Sequence, residues 1–144
     1  GERGWWYRIA PRYWGMTPAK YYDAADLWPL DPNGNMLLMG IIEELEGVRN
    51  LPDILREVKG IGAIWAGPGD MSVSMGHKGN ASHPDVQANL LKILADCKNA
   101  GVPCATGATA AEVPMRLEQG FRIIITSPEK NTQGLSEGRR IAGR

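Results

Sequence analysis

A chain of 144 residues with sixteen basic and sixteen acidic side chains carries a formal net charge of zero. That balance argues against bulk electrostatic attraction to nucleic acid or to an anionic membrane, and no apolar run reaches the length that spans a bilayer. The length suits one domain with a sizeable core. Residues 1–35 are expected to form an irregular, aromatic-rich loop segment. Trp5, Trp6, Tyr7, Tyr13, Trp14, Tyr21 and Tyr22 are interleaved there with Arg3, Arg8, Arg12 and Lys20. Aromatic and basic residues together can stack single-stranded nucleic acid. The neutral remainder of the chain carries no RNA-binding motif, so the rings are read as packing on a partner surface, in this chain or in a neighbouring subunit.

Residues 36–144 become rhythmic. Pro29, Asp31-Pro32 and Asn33-Gly34 supply turn chemistry, and residues 36–42 then form a near-continuous apolar run ending in Glu43-Glu44. A helix is predicted over 46–58, with Val48, Leu51, Ile54, Leu55 and Val58 at helical spacing and Pro52 as a candidate break. Gly60 and Gly62 lead into a second apolar run, 63–66, which ends in Gly67-Pro68-Gly69-Asp70. A glycine-containing loop covers 75–82. Pro84 and Asp85 open a helix whose buried face is Val86, Leu90, Ile93, Leu94 and Cys97, with Gly101 as its stop. A third run, 102–105, precedes Thr106-Gly107; a helix over 110–119 ends at Gly120. A fourth run, 121–126, ends at Ser127-Pro128, and a helix over 133–142 closes the chain. Cys97 and Cys104 show no metal-type spacing and fall in different elements, which reads as free thiols in a reducing compartment. The opening Gly-Glu-Arg-Gly has no signal-peptide pattern and no initiator Met. A cytoplasmic protein is therefore expected, either processed or beginning partway through something larger.

The strands are apolar throughout rather than alternating, and helices separate them. That pattern predicts an α/β fold with a parallel sheet covered by helices. An open doubly wound sheet and part of a (β/α)8 barrel both satisfy it. A full barrel takes about 250 residues, and this chain supplies only about four βα units.

In either architecture ligands bind at the C-terminal ends of the strands. Glu43 stands at that end of the first strand and Asp70 just past that end of the second. Neighbouring strands lie about 4.8 Å apart, so both carboxylates would share a small volume and repel unless a cation lay between them. A hard divalent ion, Mg²⁺ or Mn²⁺, suits oxygen ligands with waters completing the shell. Gly67-Pro68-Gly69 would let backbone approach a ligand closely, and the amides of Gly69 and Asp70 could face an anion. Metal and amides together suit a 2-oxo acid. The plainer alternatives are a helix cap or a surface ion pair for Glu43 or Glu44, and an N-cap for Asp70. Glu46 is read as a first-turn helix residue. His83 before Pro84 and His77 in the glycine loop are both read as structural.

The segments "LLMGIIEELEGVRNLPDIL" and "GIGAIWAGPGDMSVSMGHKG", with "HPDV" and the closing strand and helix, resemble the second half of the HpcH/HpaI aldolase family. These are metal-dependent class II pyruvate aldolases, such as 4-hydroxy-2-oxoheptanedioate aldolase. "GERGWWYRIAPRYWGM" resembles the family's arginine-glycine loop before the fifth strand. The resemblance implies the C-terminal half of a (β/α)8 TIM barrel, with Glu43 and Asp70 as metal ligands. Gly69 and Asp70 would hold the pyruvate carboxylate through their amides, and Gly67 and Pro68 would shape the pocket. It further implies Mg²⁺ or Mn²⁺ (Co²⁺ as another), a small 2-oxo acid as substrate, and a homo-oligomer. The enolate-stabilising arginine and acid–base histidine of the family lie in its first half and have no counterpart here. The expected activity is reversible cleavage of a 4-hydroxy-2-oxo acid to pyruvate and an aldehyde. The alternatives are a catalytically incomplete fragment that keeps the metal and pyruvate corner, or a related acyl-CoA lyase.

Overall fold

The computed structural model defines residues 9–126 and 132–144, and the chain divides between Leu38 and Met39 into two compact units. In the first unit the segment expected to be irregular carries local order. Helix α1 covers Ala10–Tyr13 and α2 covers Pro18–Ala24. Each has a proline in its first turn, and the Thr17 hydroxyl accepts the Lys20 N–H at 3.3 Å as an N-cap. These are ordinary helix-start signals that the density of aromatic residues obscured. Trp14 meets Tyr21 edge to face at 6.5 Å, and Tyr21 meets Tyr22 at 6.3 Å, so these rings pack on one another. Trp5, Trp6, Tyr7, Arg3 and Arg8 lie outside the described residues. Strand β1, Leu27–Trp28, pairs in parallel with the start of β2, Met36–Ile42: Leu27 stands opposite Met36 and Trp28 opposite Leu37.

The second unit repeats strand and helix. After β2 come α3 (Leu45–Glu57), β3 (Ile61–Ala66), α4 (Pro68–Ser74) and α5 (Pro84–Ala100). Then follow β4 (Cys104–Gly107), α6 (Val113–Gln119), β5 (Ile123–Ile125) and α7 (Gln133–Ile141). The strands lie in the order β2-β3-β4-β5. Trp65 is opposite Ala105 and Ala105 opposite Ile123, all in parallel pairing. A doubly wound sheet reverses its strand order at a switch point. This one never does, which is the order of a barrel wall. The fold is the C-terminal half of a (β/α)8 barrel.

The helices match the sequence pattern closely. Helix α3 runs unbroken through Pro52, giving up one ladder bond, and buries Val48 and Leu51. All five residues predicted for the inner face of α5 are buried, and Gly101 stops that helix in the left-handed region at φ 69°. Helix α6 starts at Val113, three residues later than predicted. The Glu112 carboxylate accepts both the Thr109 N–H (2.9 Å) and the Thr109 hydroxyl (2.7 Å), which holds 109–112 as a turn. Those two bonds keep the Glu112 carboxyl below its usual range. Ser127 and Pro128 lie outside the described residues. Both cysteines are free and buried.

The sheet has two distinct faces. Ile42, Ile64, Ala66 and Cys104 join the core that the helices cover. Residues alternate across a strand, so Trp65 and Gly67 point the other way. A Cβ added at Gly67 would meet Glu43 and Ile41, which places those side chains on that second face.

Candidate metal and acid-binding corner

Strands β2 and β3 end side by side, tied by the Gly67 N–H donating to the Ile42 carbonyl at 3.0 Å. Glu43 follows directly, exposed, with its side chain lying over Gly67. A Cβ built on Gly67 would stand 3.3 Å from Glu43 Cβ and 3.5 Å from Glu43 Oε2. Glycine at 67 therefore avoids a tight approach to Glu43 Cβ, while the Glu43 carboxylate lies at ordinary contact distance from that position.

The chain turns from Gly67 straight into α4, with Pro68 in the first helical turn, where its missing N–H costs nothing. Asp70 sits in that same first turn and is exposed. No side chain caps the helix at Gly67. The plain N-cap reading of Asp70 thus gives way to a carboxylate inside the first turn. The Ser72 hydroxyl donates to the Gly69 carbonyl at 2.6 Å, and Met71 and Ser72 are buried, so the turn is anchored from beneath. The structure thus brings Glu43 and Gly67 into contact and puts Pro68, Gly69 and Asp70 on the turn that leaves Gly67. The donors offered are carboxylate oxygens, which suit a hard divalent cation.

Two features escaped the sequence reading. On the same face as Glu43, the Trp65 indole Nε1 is enclosed and has no hydrogen-bond partner among the described residues. His77 and His83 are more than loop and cap residues: their rings stack with centroids 3.5 Å apart and planes 14° off parallel. His83 Nδ1 does accept the Asp85 N–H, at 3.2 Å, as the cap of α5. With Asp85 the pair forms a cluster whose ligand-type atoms lie within 4.8 Å of one another. The H-x5-H-x-D spacing is visible in the sequence, but its closure depends on how the loop 75–83 folds.

The description HpcH/HpaI aldolase/citrate lyase fits residues 2–123 as a family model. The chain is 43% identical over 93 residues to a 5-keto-4-deoxy-D-glucarate aldolase of Salmonella arizonae, covering 64% of this chain and 36% of that protein. It is 40% identical over the same length to the protein of that name from Citrobacter koseri, with the same coverage. The chain thus spans little more than a third of the curated relatives it matches. A crystal structure described as an HpcH/HpaI aldolase/citrate lyase family protein from Burkholderia cenocepacia superposes with a TM-score of 0.63 at 28% identity, over 78% of this chain and 43% of that one. The HpcH/HpaI aldolase from Desulfitobacterium hafniense gives a TM-score of 0.64 at 24% identity, over 81% and 45%, and so speaks for the fold. Barrel-type strand order, the match over most of the sequence and identity above 40% in the aligned part lead to one conclusion: the chain belongs to the HpcH/HpaI aldolase/citrate lyase family.

Proposed function

We propose that the chain supplies the metal- and acid-binding corner of a metal-dependent pyruvate aldolase, a carbon–carbon lyase that reversibly cleaves a 4-hydroxy-2-oxo acid to pyruvate and an aldehyde. The observation that carries this reading is Glu43 seated over Gly67 at the end of β2, one turn from Asp70, in a chain of this family. Glu43 and Asp70 hold Mg²⁺ or Mn²⁺, with Co²⁺ as a substitute. Gly67 and Pro68 shape the pocket, and the amides of Gly69 and Asp70 take the substrate carboxylate. First-turn amides have no partner within the helix. A divalent cation bound at these carboxylates supplies Lewis-acid stabilisation of the enolate oxygen. The reaction removes the proton of the 4-hydroxyl, breaks the C3–C4 bond, releases the aldehyde and leaves the pyruvate enolate, which takes a proton at C3. Proton carriers and the enolate-stabilising arginine come from sequence outside this chain or from another subunit of a homo-oligomer. The setting proposed is the cytoplasm.

Coverage of about a third of the relatives' length favours a second reading, a catalytically incomplete piece that keeps the metal and 2-oxo acid corner. One pair of measurements separates the two. Pyruvate release from a 4-hydroxy-2-oxo acid is assayed with Mg²⁺ or Mn²⁺, and metal binding is followed by calorimetry. Release that disappears with EDTA and in Glu43→Gln and Asp70→Asn supports the aldolase. Metal binding without turnover supports the incomplete piece. Metal binding that neither substitution disturbs sinks both.

A further inference from the structure

The loop 75–83 and the first turn of α5 bring together three ligand-type side chains that the Glu43–Asp70 corner does not use. Asp85 Oδ2 lies 3.5 Å from His77 Nε2 and 3.6 Å from His83 Nδ1. The Asp85 backbone N–H donates to His83 Nδ1, so that nitrogen bears a lone pair rather than a proton. That lone pair is taken by the Asp85 N–H, and the Asp85 carboxylate stands near both imidazole nitrogens, with His77 Nε2 able to offer it an N–H. Three ligand-type atoms are thus gathered within 4.8 Å of one another.

The separations suit a bound metal. Two ligands at tetrahedral positions, 2.0–2.1 Å from zinc, stand about 3.4 Å apart. We propose that His77, His83 and Asp85 form a surface site for a borderline divalent ion of the zinc class, independent of the two-carboxylate corner. Two imidazoles and one carboxylate make a nitrogen-rich donor set, which zinc or nickel takes and magnesium does not. Water fills the fourth position. Parallel rings send their lone pairs side by side, so binding swings the His77 ring out of the stack while its backbone stays fixed by the bond to the Ser72 carbonyl at 2.7 Å. The displaced Asp85 N–H, in an exposed first turn, passes to water. The positive end of α5 opposes a cation, and the Asp85 carboxylate offsets it.

These are the chain's only two histidines, which makes the test clean. Zn²⁺ is titrated into the full chain, with calorimetry for affinity and the imidazole nitrogen resonances for location. Both rings are expected to shift together at one equivalent. Affinity is expected to fall roughly tenfold or more in His77→Ala and in Asp85→Asn, and to persist in the Glu43→Gln/Asp70→Asn double variant. His77→Gln repeats the test if the alanine variant melts early. Imidazole resonances that ignore Zn²⁺, or affinity lost only in the double variant, overturn the proposal. Failure of the aldolase reading leaves this result untouched.

Discussion

A methyl group at Gly67 would approach Glu43 Cβ tightly, at 3.3 Å, and stand at ordinary contact distance, 3.5 Å, from its carboxylate. The backbone there is extended, φ −91° and ψ 95°, which alanine adopts without strain. Gly67→Ala is therefore expected to cost little in folding while shifting the strand end that carries Glu43 by a few tenths of an ångström. Mg²⁺ affinity should fall about tenfold, equivalent to about 1.4 kcal/mol, as read by calorimetry beside an unchanged far-ultraviolet spectrum. Glu112 offers a different residue-scale test. Hydrogen bonds from Thr109 hold its carboxyl below the usual range in the folded chain. A depressed folded value means that the stabilisation is present above the unfolded carboxylate range and is lost as the pH falls through the folded value. Glu112→Gln should cost about 0.5–1 kcal/mol at pH 7, allowing for partial exposure. The gap from the parent should close in denaturant titrations as the medium is acidified past the carboxylate range.

Among elements, α7 has a seat that depends on a missing side chain. A Cβ at Gly134 would lie 2.6 Å from Thr126 Cγ2 and 2.9 Å from Thr126 Cβ, just beyond β5. In an unpacked helix Gly→Ala stabilises by about 1 kcal/mol. Here the clash involves atoms close to the strand backbone, so Gly134→Ala should destabilise by about 1–3 kcal/mol, seen as a lower melting temperature. The opposite sign would mean that α7 does not pack on Thr126. Elements differ in how far sequence revealed them. Strand 36–42, the last four residues of strand 61–66 (expected at 63–66) and the long α5 were legible because apolar runs and helical spacing are local signals, and Pro84 and Gly101 mark the ends of α5. The places of Glu43 and Gly67-Pro68-Gly69-Asp70 in the fold, though not their role, were legible for a related reason: each follows a strand whose end the pattern locates. The start of α6 was expected three residues early because the T-x-x-E spacing went unused: the Glu112 carboxylate accepts the Thr109 N–H, as in a capping box, and helix follows from Val113. Residues 10–28 hid two helices and a strand behind aromatic side chains whose mutual packing no local pattern encodes. The histidine stack was hidden too, because it needs the loop to close on itself. So does Arg116, buried on α6 and bonded through Nη2 to Gln87 Oε1 at 2.8 Å, while Gln87 Nε2 donates to the Ala81 carbonyl at 2.6 Å. That relay ties α6 and α5 to the loop bearing His77, and its members are 29 and 6 residues apart.

At the scale of the molecule, the two proposed metal sites predict two separable linkages between ion binding and stability. An ion that binds only the folded chain raises stability by mass action, about 2.7 kcal/mol at a hundredfold excess over its dissociation constant. For a chain of this size that shifts the melting temperature upward by roughly 5–10 °C. Mg²⁺, a hard ion, should act through Glu43 and Asp70, and its shift should vanish in Glu43→Gln yet survive in His77→Ala. Zn²⁺ at one equivalent should show the reverse dependence, since nitrogen donors bind it far more strongly than they bind magnesium. EDTA should return both melting curves to the metal-free position. The crossed pattern is the informative part. A shared loss in both variants would mean one site or a general loosening of the fold, whereas two independent losses require that the strand-end corner and the loop 75–83 hold their ions separately. No helix among the described residues is long and apolar enough to cross a membrane.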